Sequence, residues 1–190
     1  IFCLICFGEN GRSQGYDNLW MMGYLCCQPN FGGTDIDFYS QSLATSMSPR
    51  MMSITGTNAT ISNSGGDLLF YTNGIYIANS LNDTMVNGSG LCLDRQNSSF
   101  LQLGLPIVQG ALIVPFDEIS DKYYLFHEEY STSIVRPNKL FYSIIDMRLD
   151  SGKGEVILKR QPLFYDSLDY GQITACRHAN GRLVDYSTKI

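Results

Sequence analysis

The sequence predicts an all-β protein, a partial β-propeller of about two and a half blades built from antiparallel β-meanders. Three observations carry that expectation. Short apolar runs alternate with Gly, Asn, Ser and Asp turns along most of the chain. No long stretch has helical periodicity. Strand groups also recur at intervals of roughly 50 to 60 residues, as radially repeated blades would. One meander occupies 57–85, a second group of about four strands occupies 110–159, and a third opens at Gln172. Charged residues make up only 16% of the 190 positions and hydrophobic residues 44%, which suits sheets with polar, uncharged surfaces.

Taken in order, residues 16–24 are aromatic and Met-rich, contain the single Trp20, and read as a strand packed on the core. Gly32-Gly33 separates them from 35–39, where Ile36 and Phe38 share one face of a strand. Residues 41–52 lack a clean period and read as a connection. Residues 65–80 read as strand, tight turn, strand: Leu68, Phe70 and Thr72 alternate with Leu69 and Tyr71, and Asn73-Gly74 suits a two-residue hairpin turn. Ser64-Gly65-Gly66-Asp67 turns the chain into this unit from 57–62. Residues 87–105, rich in Gly, Ser and Asn, read as a long loop. Short strands follow at 110–115, 122–127, 139–147, 156–159 and 172–178, the last turned by Asn180-Gly181.

Net charge is −5, with no basic stripe, so neither nucleic acid nor an anionic membrane surface is an expected partner. Residues 1–7 are all apolar or Cys, too short to span a bilayer, and read as the end of a signal-peptide apolar region. The expected organisation is a signal-peptide remnant over 1–14 and a C-terminally truncated partial propeller over 15–190. Of the six cysteines, Cys3 and Cys6 form a C-x-x-C with no second pair at zinc spacing. Adjacent Cys26 and Cys27 read as small buried residues, and with Cys92 and Cys176 they imply no disulfide framework. No metal and no cofactor are expected.

No catalytic constellation emerges, and no catalytic, cofactor-binding or metal residue is assigned. His127-Glu128-Glu129 is the sharpest polar cluster. Neighbouring strand residues point to opposite faces, so the two glutamates cannot act as a facing carboxylate pair, and the triplet reads as a strand end entering a solvated loop. Arg177-His178 beside the Asn180-Gly181 turn suits a carboxylate or phosphate, but no nucleophile or acid is tied to it by spacing, and a structural hairpin is preferred. Asp35 and Asp37 form a D-x-D, read as a solvent face opposite Ile36 and Phe38 rather than a calcium loop. Sequons at Asn58, Asn82, Asn87 and Asn97 read as Asn-rich loops.

Five stretches together resemble the N-terminal propeller-like region of secreted Bacteroidetes proteins that often carry a type IX secretion sorting domain. They are 16–24 (YDNLWMMGY), 67–79 (DLLFYTNGIYIAN), 82–91 (NDTMVNGSGL), 142–149 (YSIIDMRL) and 170–182 (YGQITACRHANGR). The resemblance implies export and a surface or extracellular location, and supplies no catalytic residues. The pattern departs after Arg182, where relatives continue Asp-Trp-Trp; residues 183–190 read as an out-of-frame version of that continuation. The expected function is a secreted or cell-surface binding module for a protein or glycan, its remaining partners being the missing C-terminal blades. The competing expectation is part of a glycan-active hydrolase completed by those blades, with His178 or Arg177 contributing. A purely structural surface-layer role is a third.

Overall fold

The computed structural model describes residues 16–23, 33–39, 43–95, 103–116, 120–168, 171, 173–177 and 183–187. Among them are strands β1 (Leu19–Met22), β2 (Gly33–Asp37), β3 (Ala44–Ser48), β4 (Ala59–Ser62), β5 (Leu68–Thr72) and β6 (Ile77–Asn79). The later strands are β7 (Ala111–Pro115), β8 (Lys122–Ser131), β9 (Arg136–Asp146), β10 (Glu155–Tyr165), β11 (Ile173–Arg177) and β12 (Leu183–Ser187). Among the described residues, helical structure is limited to 3₁₀ turns at Leu93–Arg95 and Asp150–Gly152 and to residue 103. The chain is therefore all-β, as expected, and every paired strand is antiparallel to its sheet neighbours. The strands group in chain order into four sheets, β1–β3, β4–β6, β7–β10 and the hairpin β11–β12, none of them closed.

The β4–β6 sheet is buried on both faces. Phe70, Ile61 and Ile77 point one way, into a cluster with Tyr123, Leu125 and Ile145 of the third sheet. Tyr71 and Ala78 point the other way, into a cluster with Met21, Met52 and Ile54. Strand alternation accounts for this directly: Phe70 and Tyr71 are sequence neighbours with no exposed surface, each filling a different core. Phe70 meets Tyr123 edge-on, with ring centroids 5.6 Å apart.

Successive sheets also touch along one edge. β1 lies against β4, β4 against β7, and β7 against β11. The starts of β4 and β7 lie together: Thr57 N–H donates to Leu105 O at 3.0 Å, and Thr57 Oγ1 donates to Ile107 O at 2.8 Å. β1 meets β4 in the opposite sense, because Ser62 N–H donates to Tyr16 O while Asn58 donates to Met21 O. Beyond β6 the chain doubles back along it, with Met85 N–H donating to Ile77 O and Leu91 N–H to Ile75 O. At Val86 it makes a parallel bridge to Glu155 at the start of β10.

Several expectations need correction. The turn after β5 is not a two-residue hairpin, since Thr72 pairs with Ile77 and four residues lie between them. Side chains hold it: Gly74 N–H donates to Thr72 Oγ1 and Ile75 N–H to Asn73 Oδ1, with only Gly74 in the left-handed region of this turn (φ 83°). The stretch read as a connection, 41–52, contains β3. Its side chains are almost all exposed, so burial imposed no alternation on the sequence. Strand 156–159 is too short as read: β10 runs to Tyr165, past bulges that interrupt its period. Trp20 is on the surface, 54% exposed, while its neighbour Met21 fills the core.

Truncating Phe70 to Ala removes a ring from the most enclosed site, and is expected to cost about 4 kcal/mol. Met47→Ala, at a side chain 74% exposed, should shift stability by about 0.5 kcal/mol or less. Urea unfolding of both variants checks the contrast.

Candidate functional site

The densest polar cluster lies where β8, β9 and β10 meet the segment leaving the second sheet. Antiparallel pairing sets His127 opposite Phe141 and Glu129 opposite Lys139, so His127 and Glu129 share a face. That face continues Tyr123 and Leu125 and is turned toward the β4–β6 sheet. The reading of this triplet as a solvated strand end is thus overturned: His127, Glu128 and Glu129 are all buried inside β8. A buried carboxylate needs compensating charge. Lys139 Nζ supplies it at 2.6 Å from Glu129 Oε1, and Arg160 Nη1 at 2.6 Å from Oε2. Leu93 N–H also donates to Oε2.

Arg160 reaches this position through a bulge. The register of β10 slips between Leu158 and Gln161, and Arg160 adopts a left-handed φ of 54°. Its backbone N–H donates to Ser143 Oγ at 3.0 Å, and its guanidinium donates to Leu91 O and lies 4.3 Å from the Phe141 ring centre. Leu91 and Leu93 belong to the return segment beside β6, so the cluster fastens the second sheet to the third.

His127 Nε2 lies 3.2 Å from Ser143 Oγ, a distance that suits a base and a nucleophile. The surroundings give that pair another role. Both side chains are fully enclosed, and Ser143 Oγ already accepts the Arg160 N–H. His127 Nδ1 has no hydrogen-bond partner among the described residues, where a triad would place a carboxylate. Burial, reinforced by Arg160 and opposed only by Glu129, pushes the His127 pKa down to about 3. For Glu129, burial acts to raise the pKa, but the bonds from Lys139, Arg160 and Leu93 outweigh it and hold the carboxyl below its usual range. The arrangement is a neutral imidazole beside a compensated ion cluster, and it works as a structural clamp.

The other sequence candidates sit apart from it. Asp35 is not on the solvent face: it pairs with the buried Arg50 at 2.6 Å, on the Met21 side of β2, while Trp20 and Ile36 face outward. Gly33 makes room for this pair, because a Cβ there would collide with the Arg50 guanidinium. Three sequon asparagines pin loops. Asn58 donates to Met21 O, Asn82 accepts from Tyr71 O–H at 2.8 Å, and Asn87 donates to Glu155 at 3.0 Å. Asn97, His178, Cys3, Cys6, Cys26 and Cys27 lie outside the described residues, as do the side chains of Cys176 and Arg177. Cys92 is buried, its Sγ 3.7 Å from Tyr130 O. The described residues contain no group of three or more metal-ligating side chains, and no helix long and apolar enough to cross a membrane.

Sequence reasoning missed Lys139, Ser143 and Arg160 as members of this cluster. The one available signal was the pairing of β8 with β9, which sets residue 129 opposite 139; the bulge that turns Arg160 inward leaves no sequence mark. No protein-family model, characterised protein or solved structure matches the chain.

Two outcomes follow. His127 has its pKa lowered from 6.5 to about 3 on folding, so the unfolded chain binds more protons between these values. Its contribution to stability is present above 6.5 and is lost as pH falls through that window. Glu129, also lowered from 4.5, adds its loss below that value. Equilibrium unfolding from pH 7.5 to 5 should therefore show falling stability in the wild type and a flatter profile in His127→Gln. Separately, Arg160→Ala leaves a buried carboxylate with Lys139 alone and should cost about 3 kcal/mol, measured by urea unfolding at pH 7.

Proposed function

We propose that the chain is part of a β-propeller that serves as a secreted or cell-surface binding module for a protein or glycan. One observation carries the architectural half of this reading. Successive meanders touch in chain order, β1 against β4, β4 against β7 and β7 against β11. Radial blades around an axis require that order, whereas a two-sheet sandwich has no need of a middle sheet covered on both sides. The strand senses agree. The starts of β4 and β7 lie together, as innermost strands would, and β1 meets β4 in the opposite sense, as the second strand of a blade would. The return segment beside β6 then serves as a fourth strand, and its parallel bridge to β10 joins two outermost strands.

The binding half rests on the chemistry of the described cluster. The strongest base–hydroxyl pair is sealed and committed to the clamp, so the polar groups available to a ligand are those of the inter-strand loops. Export rests on the resemblance of the five stretches named above.

The experiment is a glycan and protein array probed with the folded chain, paired with a polysaccharide hydrolysis assay. Saturable binding without turnover is expected. Turnover that disappears on alanine substitution at His178 or Arg177 would replace the binding reading with the hydrolase one.

A further inference from the structure

We infer that β3 is a pairing edge for a second copy of this chain: the β3 strands of two copies run antiparallel about a two-fold axis and join two first sheets into one. The observation behind this is how each sheet edge is finished. The return segment closes the edge beside β6, with Met85 N–H donating to Ile77 O and Leu91 N–H to Ile75 O. β4 meets β1 through the Ser62 amide and the Asn58 side chain. β10 is covered at its start, where Val156 N–H donates to Val86 O, and beyond that it carries Lys159, Arg160, Pro162 and slips of register. Charge, proline and bulges are what keep an edge strand from pairing with another chain. β3 has none of them. Ala44-Thr45-Ser46-Met47-Ser48 is uncharged, and it pairs with β2 residue for residue, without a shift. It ends its sheet, and among the described residues nothing pairs with its outer edge. Ala44, Thr45, Ser46 and Met47 are all exposed, Met47 to 74%.

The strand itself selects the occupant. An antiparallel self-pair centred on Ser46 sets Ser46 opposite its own copy, Thr45 opposite Met47 and Ala44 opposite Ser48. This register uses the whole strand, and Pro49, which has no N–H to give, ends the ladder. No facing pair holds two large side chains, and none is charged, so the like-charge contacts that destabilise opposed positions are absent. The nearest acids are on β2, where Asp35 lies beside Ser46 and Asp37 beside Ala44. Asp35 is already neutralised by Arg50. Its two copies would stand three strand spacings apart, about 14 Å, beyond the screening length of about 8 Å at physiological salt. Asp37 lies in line with Gly33 of the other copy, because Gly33 is beside Ser48. The net charge of −5 therefore places no facing acids across the contact. The contact is isologous, so it closes as a dimer and does not propagate. One short strand a side is small beside a standard interface of about 800 Å² per partner, so the dimer is weak and forms as concentration rises. The inference rests on the first sheet alone and holds whether or not a ligand binds.

Sedimentation velocity from micromolar to near-millimolar protein tests it on the wild type, Ser46→Glu and Ser46→Lys, with circular dichroism as the check on folding. The wild type is expected to pass from monomer to dimer across that range. Each variant alone sets two like charges directly opposite each other and should stay monomeric. An equimolar mixture sets Glu opposite Lys and should dimerise. A wild type that is monomeric throughout overturns the inference. So does either variant dimerising alone as the wild type does, or a mixture that stays monomeric. If a variant does not fold, hydrogen exchange of the wild type decides. The β3 amides, exchanging by local fluctuations in the monomer, should slow at the top of the concentration range while those of β5 keep one rate; equal β3 rates at both ends overturn the inference.

Discussion

The fold depends on one constraint: the β4–β6 sheet has no solvent face. Phe70 and Tyr71 stand back to back on one strand, Ile77 and Ala78 on the next, and all four are enclosed. An antiparallel sheet in a small protein commonly keeps one wet face. Here the first sheet supplies Met21 and its neighbours to one side, and the third supplies Tyr123, Leu125 and Ile145 to the other. Among the described residues no core cluster joins strands of the first and third sheets, and Tyr16, just ahead of β1, is the described side chain of that segment that reaches Tyr123.

Polar chemistry inside the stack is arranged to reinforce that packing. Glu129 draws Lys139 from β9, Arg160 from β10 and the Leu93 amide from the return segment into one cluster. The strained φ at Arg160 is what directs the guanidinium inward, and its backbone amide is repaid by Ser143 Oγ. Neutral His127 sits beside this cluster at a distance that resembles a catalytic pair, but its enclosure and its occupied partner make it a packing element. A similar economy governs the asparagines. Asn58, Asn82 and Asn87 bind across loops, and Asn63 Oδ1 accepts the amides of Gly65 and Asp67 to close the turn before β5.

Strand identity was legible wherever burial imposed alternation or a turn residue punctuated the chain. β5, β7 and the turn at 64–67 lie where the sequence places them. β3 was not legible, because a strand exposed on nearly every side chain has no pattern to read. The length of β10 was hidden by its bulges, and by Pro162, which an edge strand tolerates. The clamp was half legible. Its acid and imidazole stood out as a triplet, but their burial depends on a cross-strand partner ten residues away and on a bulge, both set by tertiary register. Asp35 illustrates the same limit: alternation fixes that it opposes Ile36, but not which of the two faces inward.

The most direct test of the two-sided middle sheet is native-state hydrogen exchange. The amides of Tyr71, Thr72 and Ile77 should exchange only through the largest opening of the molecule, and those of β3 through small local fluctuations. Protection in β5 and β6 at or above that of β8 and β9 is the predicted result. If the β5 amides exchange as readily as those of β3, the middle sheet is not the element on which the others rest.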